Sequence, residues 1–128
     1  MSDSSTIKCD IGFIGLGVMG YPMAGHLSKN GYSVSVFNRS QEKSQRWVEE
    51  FNGDCFGTPR EAANKADIVF ICVGNDDDVR SVFYGAEGVL AGLKPGSIIV
   101  DHTTTSAFLA EELYQASREN NNAFIDAP

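Results

Sequence analysis

The sequence predicts a doubly wound α/β domain, a mainly parallel sheet with helices on both faces. Two observations carry this. Short segments rich in β-branched and aromatic residues alternate with longer segments of helical spacing, which is the pattern of β-α-β units. The third short segment, residues 67–73 (DIVFICV), is apolar almost throughout, as a strand covered on both sides must be. Right-handed crossovers between such strands place helices on both faces of the sheet.

Each element has its own signal. Residues 9–14 (CDIGFI) form the first strand, and residues 18–30 the first helix, with Met19, Met23 and Leu27 along one face and Gly31 as a natural stop. Residues 33–37 (SVSVF) read as a strand and 42–51 as a helix. After the strand at 67–73, residues 76–83 open with three acids suited to a helix N-terminus. Residues 97–101 (SIIVD) form a strand, and 106–119 a helix carrying Phe108, Leu109, Leu113 and Ala116 at core spacing. Residues 123–125 begin a further strand. No repeat or low-complexity linker interrupts the series.

Length and composition bound the function. The chain of 128 residues is one domain's worth, residues 1–128, with 42% hydrophobic and 21% charged residues, ordinary for a globular protein. No apolar run reaches the roughly 18 residues of a membrane span. Residues 1–10 are polar and contain acids, unlike a secretory signal or an Arg-rich transit peptide. A net charge of −7 argues against nucleic acid as a partner, because such surfaces carry basic stripes. Cys9, Cys55 and Cys72 form no C-x-x-C pair and lie in apolar stretches, so they read as buried structural thiols in a reducing compartment. The cytoplasm is the expected location.

Residues Gly15-Leu16-Gly17-Val18-Met19-Gly20 form G-x-G-x-x-G directly between the first strand and the first helix. In that context the loop predicts a Rossmann-type dinucleotide site. Gly15 makes the tight turn, Gly17 lets the backbone approach a pyrophosphate, and Gly20 allows close helix–strand packing. Free N–H groups and the helix dipole then hold the anion. The competing reading is a tight connection with no ligand. A carboxylate about 20 residues further on accepts the ribose 2′-hydroxyl in NAD sites, but Asn38 stands there, followed by Arg39 and Ser40. An uncharged amide, a guanidinium and a hydroxyl suit the 2′-phosphate of NADP better than NAD, unless Arg39 is simply a solvated loop residue.

Ligands in open α/β sheets bind beyond the carboxyl ends of the strands. Cys72, Val73, Gly74 and Asn75 are therefore expected beside the cofactor's ribose. The hydroxyl cluster of Thr103, Thr104 and Thr105 after His102 is expected near the nicotinamide. Helix capping by Thr105 or Ser106 accounts for part of that cluster equally well. The run Asp76-Asp77-Asp78 reads as a helix start rather than a metal site, and His26 as structural. His102 is a lone candidate for acid–base work. No catalytic residue and no metal ligand is assigned.

The segment GFIGLGVMGYPMAGHL at residues 12–27 resembles the signature of the β-hydroxyacid dehydrogenases, a family that includes 3-hydroxyisobutyrate dehydrogenase and, more distantly, 6-phosphogluconate dehydrogenase. Asn38-Arg39-Ser40 is similar to the NADP-using members. Asp101-His102-Thr103-Thr104 stands where the family has Asp-x-Ser-Thr, which puts Thr104 on its cofactor-contacting threonine. Asp126-Ala127-Pro128 resembles the start of the family's substrate-binding segment. The resemblance runs from Ile7 to Pro128. It implies an N-terminal NADP-binding domain of an oxidoreductase that moves a hydride between NADP(H) and a small β-hydroxyacid or its semialdehyde. It also implies that the helical C-terminal domain, which carries the catalytic lysine and much of the homo-oligomer interface, is absent from these residues, and that the chain is inactive alone. A non-catalytic nucleotide-sensing module is the alternative. An adenosyl-methionine-dependent methyltransferase fits less well, since it keeps an acid where Asn38 stands.

Overall fold

In the computed structural model, which describes residues 9–128, strands and helices alternate except that two helices lie between the fourth and fifth strands. The polar N-terminal stretch at 1–8, with the signal and transit readings that concern it and the first residues of the family resemblance, lies outside the described residues. The elements are β1 (Asp10–Ile14), α1 (Gly20–Lys29), β2 (Ser33–Phe37), α2 (Gln41–Phe51), β3 (Asp54–Cys55), α3 (Pro59–Ala63), β4 (Ile68–Ile71), α4 (Asp76–Phe83), α5 (Val89–Gly92), β5 (Ile98–Asp101), α6 (Ala107–Glu119) and β6 (Ala123–Asp126). The six strands form one sheet in the order β3-β2-β1-β4-β5-β6, and all neighbouring pairs are parallel. This is the Rossmann-type α/β fold the sequence predicts.

Alternating side chains split the interior into two clusters, one on each face of the sheet. Ile11 and Phe13 of β1 pack with Ala24 of α1, Val34 and Val36 of β2, and Trp47 of α2. Ile14, Val69, Ile71 and Ile99 face the other way, onto Ala62 and Ala63 of α3, Val79 and Phe83 of α4, and Leu109 and Leu113 of α6. The chain leaves β1 toward β2 and β3, then returns through α3 to β4 on the other side. The strand order therefore reverses between β1 and β4, and the crevice beyond their carboxyl ends is where this fold binds ligands.

Several expectations need correction. In α1 the side that packs down is Gly20, Ala24 and Gly25, because small residues let the helix lie close to the sheet. Met23 and Leu27 are half-buried at its flank, and Met19 is exposed. In α6, Leu109, Leu113 and Ser117 are buried, whereas Phe108 is 79% exposed. None of the three cysteines is fully buried, and all are free thiols. The strand expected at 67–73 is shorter, Ile68–Ile71: Asp67, whose side chain pairs with Lys94 (2.7 Å), lies at its start, and Cys72 and Val73 already belong to the following loop. The short β3, α3 and α5 were not anticipated. No helix among the described residues is long and apolar enough to cross a membrane.

Candidate functional site

A cavity of about 910 Å3 opens at the carboxyl ends of β1, β2, β4 and β5. It forms because four connections meet there: the glycine loop before α1, the turn at 38–40 before α2, the turn at 72–75 before α4, and the segment 102–104 before α6.

The glycine loop is held from both sides. Gly15 adopts φ +103°, a left-handed conformation that favours glycine. A Cβ there would collide with the Cys72 carbonyl oxygen, and one on Gly20 would collide with the Gly15 carbonyl oxygen. The Gly15 N–H donates to the Phe37 carbonyl (2.9 Å), so the turn is pinned to the end of β2. A Cβ on Gly17 would meet nothing within 4 Å. That empty space faces the cavity and leaves room for a ligand to approach the backbone. The N–H groups of Gly17, Val18 and Met19 have no partner among the described residues. They stand at the positive end of α1, the arrangement that binds an anion.

Asn38 does more than its position predicts. Its Oδ1 accepts the Leu16 N–H (2.9 Å), and its Nδ2 donates to the Ser40 carbonyl (3.3 Å). The amide at the end of β2 therefore fixes the glycine loop. Ser40 caps α2, its Oγ accepting the Lys43 N–H, while its own hydroxyl proton remains available to a ligand. Arg39 reaches over the cavity and pairs with Asp78 of α4 at 3.1 Å.

Across the crevice, Asp101 ends β5 fully buried. Its Oδ1 accepts the Thr103 N–H (2.9 Å), and the Thr103 Oγ1 accepts the Val73 N–H (3.0 Å). This chain ties the ends of β4 and β5 together. Burial pushes the Asp101 carboxyl above the usual carboxylate range, and its Oδ2 is without a partner among the described residues. Burial and the neighbouring Asp101 push the Cys72 thiol up as well, which disfavours a nucleophilic thiolate. Thr103 turns inward while Thr104 is exposed on the cavity wall. His102 stacks on Phe70 (5.6 Å between ring centres). Its Nδ1 lies 2.6 Å from the Ala127 carbonyl oxygen and must donate there, since a carbonyl only accepts.

The cavity gathers Gly15, Gly17, Val18, Met19, Gly20, Asn38, Arg39, Ser40, Cys72, Val73, Gly74 and Thr104. Two expected residues do not line it. Leu16 is buried beneath the loop, and Asn75 is the N-cap of α4, accepting the Asp78 N–H at 2.9 Å. His102 and Thr103 of the expected cluster also line it, and Phe37, Pro59, Asp78, Ser81 and Val82 do so without having been anticipated. Asp78 and Ser81 lie on the first two turns of a helix whose start faces the strand ends, a signal the acidic run partly carried.

The carboxylates at 76–78 diverge. Asp76 accepts the Ser106 hydroxyl (2.7 Å) and thereby joins the caps of α4 and α6. Asp77 points to Arg80 and Asp78 to Arg39. Among the described residues no group of three or more His, Cys, Asp or Glu side chains stands together as a metal site would. The helix reading of this run holds.

Residues 10–128 match the family model described as the NAD binding domain of 6-phosphogluconate dehydrogenase. A Shewanella frigidimarina protein described as an uncharacterized oxidoreductase is 52% identical over 92% of this chain and 40% of its own length. A probable 3-hydroxyisobutyrate dehydrogenase-like 2, mitochondrial, from Arabidopsis thaliana is 41% identical over 94% of this chain and 40% of its own. Among solved structures, 3-hydroxyisobutyrate dehydrogenase from Mycobacterium tuberculosis with L-serine superposes with a TM-score of 0.85 and 28% identity, over 95% of this chain and 40% of that one. The chain thus spans about two fifths of the length of the relatives it matches.

Proposed function

The chain belongs to the family of the NAD binding domain of 6-phosphogluconate dehydrogenase, with 3-hydroxyisobutyrate dehydrogenase-like relatives, and from that premise we propose that its crevice binds NADP(H) in preference to NAD(H). It does so as the cofactor-binding part of an oxidoreductase acting on a small β-hydroxyacid or its semialdehyde. The observation that carries this is the row of unpaired N–H groups at Gly17, Val18 and Met19 beside the open face of Gly17, with Arg39 and Ser40 beyond it and no carboxylate at the end of β2.

The residues present fit the cofactor. The loop N–H groups and the α1 dipole hold the pyrophosphate. Arg39 and Ser40 offer a charged fork and a hydroxyl to the 2′-phosphate. The turn at 72–74 and Thr104 also line the cavity and would contact the ribose and nicotinamide parts of the cofactor. When bound, the cofactor supplies the hydride. The polypeptide's part would be to bind and orient it at the strand ends. Of the titratable groups at the strand ends, Asp101 is buried with its Oδ1 on the Thr103 N–H, while His102 lines the cavity with its Nδ1 committed to the Ala127 carbonyl. On this reading the chain's part is to bind and orient the cofactor, and it spans about two fifths of the length of its relatives.

Titration calorimetry with the four nicotinamide forms tests the reading. Tighter binding of the two phosphorylated forms is expected. Arg39 is 79% exposed, so Arg39→Ala should weaken NADP by only about 1–2 kcal/mol and leave NAD nearly unchanged. Equal affinity for NADP and NAD in the unmodified chain would sink the preference.

A further inference from the structure

Arg39 is not waiting free for a phosphate. Its guanidinium lies 3.1 Å from Oδ1 of Asp78, a residue 39 positions later in the chain that also lines the cavity. The two partners are unequal. The Arg39 side chain is 79% exposed, whereas that of Asp78 is 31% exposed. The backbone that carries the carboxylate is also anchored. Asp78 sits in the first turn of α4, and its N–H is held by the Asn75 cap at 2.9 Å. Its second oxygen overhangs Gly74, so that a Cβ on that glycine would stand 2.6 Å from Oδ2. The fixed member of the pair is therefore the acid, and the arginine comes to it.

We propose that Asp78 is a specificity-determining residue, which holds Arg39 in competition with the 2′-phosphate and so narrows the preference of this crevice for NADP over NAD. The inference rests on the reading that the 2′-phosphate sits at Arg39. A doubly charged phosphate reaching Arg39 meets a guanidinium already neutralised, and a carboxylate that repels it. NADP must draw Arg39 off its partner before gaining the fork. NAD brings a 2′-hydroxyl in place of the phosphate. It leaves the ion pair intact and can donate its proton to the same carboxylate. Asp78 thus supplies from α4 the acid that NAD sites place at the end of β2, where this chain has Asn38. Ion pairs this exposed are weak, so the device shifts the balance between the cofactors without abolishing either.

The test is calorimetric titration of the full chain, its Asp78→Asn and Asp78→Ser variants, Arg39→Ala, and the double variant of Arg39→Ala with Asp78→Asn. The probes are NADP, NAD, and the adenosine-end fragments 2′,5′-ADP and 5′-AMP. The serine variant keeps a small polar group in the first helical turn, and circular dichroism melts establish that each variant is folded. Removing the charge at 78 should tighten NADP and 2′,5′-ADP about three- to tenfold, the scale of an exposed ion pair plus its repulsion. NAD and 5′-AMP should stay level or weaken, and the gain should vanish in the Arg39→Ala background. If Arg39→Ala weakens NADP selectively while both Asp78 variants leave it within about twofold, the competition is overturned and the preference for NADP stands. A gain that persists without Arg39 overturns the competition in the same way. If Arg39→Ala weakens NADP and NAD alike, the 2′-phosphate reading itself falls, and this proposal with it.

Discussion

Asn38 is the residue at which stability and cofactor preference separate most cleanly. Its Oδ1 takes the N–H of buried Leu16 at 2.9 Å, and its Nδ2 gives a longer, exposed bond of 3.3 Å to Ser40. Asn38→Leu removes both and strands the Leu16 N–H beneath the loop, at a cost of about 1–3 kcal/mol. Asn38→Asp keeps an acceptor for Leu16 and loses only the weaker bond, a change of less than about 1 kcal/mol. For a domain of this size each kcal/mol moves the melting temperature by about 3–5 °C. The leucine variant should therefore melt well below the aspartate variant. Affinity should be lost by the opposite variant. A new carboxylate about 6 Å from a doubly charged phosphate costs about 1.4 kcal/mol in a water-like medium, or roughly tenfold in NADP affinity, with NAD level or improved. Circular dichroism melts and calorimetry read the two effects separately. Equal melting temperatures for the two variants would refute the claim that the Oδ1 bond holds the loop. A uniform loss of both cofactors in Asn38→Asp would refute the electrostatic argument.

The same separation applies to the glycines. Gly15→Ala should lower stability by about 3 kcal/mol or more through strain and collision with Cys72. Gly17→Ala should change it by less than about 1 kcal/mol while weakening dinucleotide binding at least about tenfold by filling the cradle. A melt and a titration on each variant check this, and unimpaired binding by Gly17→Ala would count against the pyrophosphate placement. Between α4 and α6, Glu112 accepts from Arg80 (3.0 Å) and Tyr84 (2.8 Å), and burial with that bond pushes the Tyr84 phenol up to about 12. Glu112→Gln should bring one tyrosine back toward its ordinary range in an ultraviolet titration; an unchanged profile would place the shift in burial alone. Hydrogen bonds from Lys94 to Asp67, from Ser106 to Asp76, and from Arg80 and Tyr84 to Glu112 hold these carboxyls below the usual range. Their stabilisation is present above the unfolded carboxylate range and is lost as acid protonates them. Asp101, pushed up by burial, works the other way and is relieved by protonation. Melting temperatures should fall on going below about pH 4, and less steeply in Asp67→Asn; an unaltered acid limb in that variant would remove Asp67 from the account.

Most of the sheet was legible because its strands are short and apolar and its helices amphipathic, so each element announces itself locally. Residues 33–37 and 76–83 match their predicted bounds for this reason. The misses are elements too short to show a period. The two residues of β3 exist only by pairing with β2, Ser35 with Asp54 and Val36 with Cys55. Helix α3 did leave a trace: Thr58-Pro59-Arg60-Glu61 is a capping box with proline at the first position, and the Thr58 Oγ1 accepts the Glu61 N–H at 3.1 Å. The glycine loop was legible because its chemistry is backbone chemistry at a fixed spacing. Asp78 and the dual bonding of Asn38 were not, because both depend on partners brought together only by the strand order. The Met19 stripe and Phe108 misled for a related reason: helical spacing marks a face, but the sheet selects the face that fits closest, which in α1 carries glycine and alanine and in α6 Leu109, Leu113 and Ser117.

The parallel sheet also dictates when the cradle comes into being. No strand pair can close through a hairpin, and Ile11 meets Ile68 only after α1, β2, α2, β3 and α3 have been laid down between them. Gly15 is bonded to Phe37 from the first half of the chain and packed on Cys72 from the second. A partly folded chain therefore has a glycine loop but no anion site. Trp47, whose indole N–H donates to the Tyr21 carbonyl, lies in a cluster whose buried residues all come from the first half, with Ile68, Phe70 and Cys72 of the second half at its edge. During refolding its fluorescence should settle before the ability to capture a dinucleotide appears. The interval between the two signals measures how long β4 takes to dock against β1.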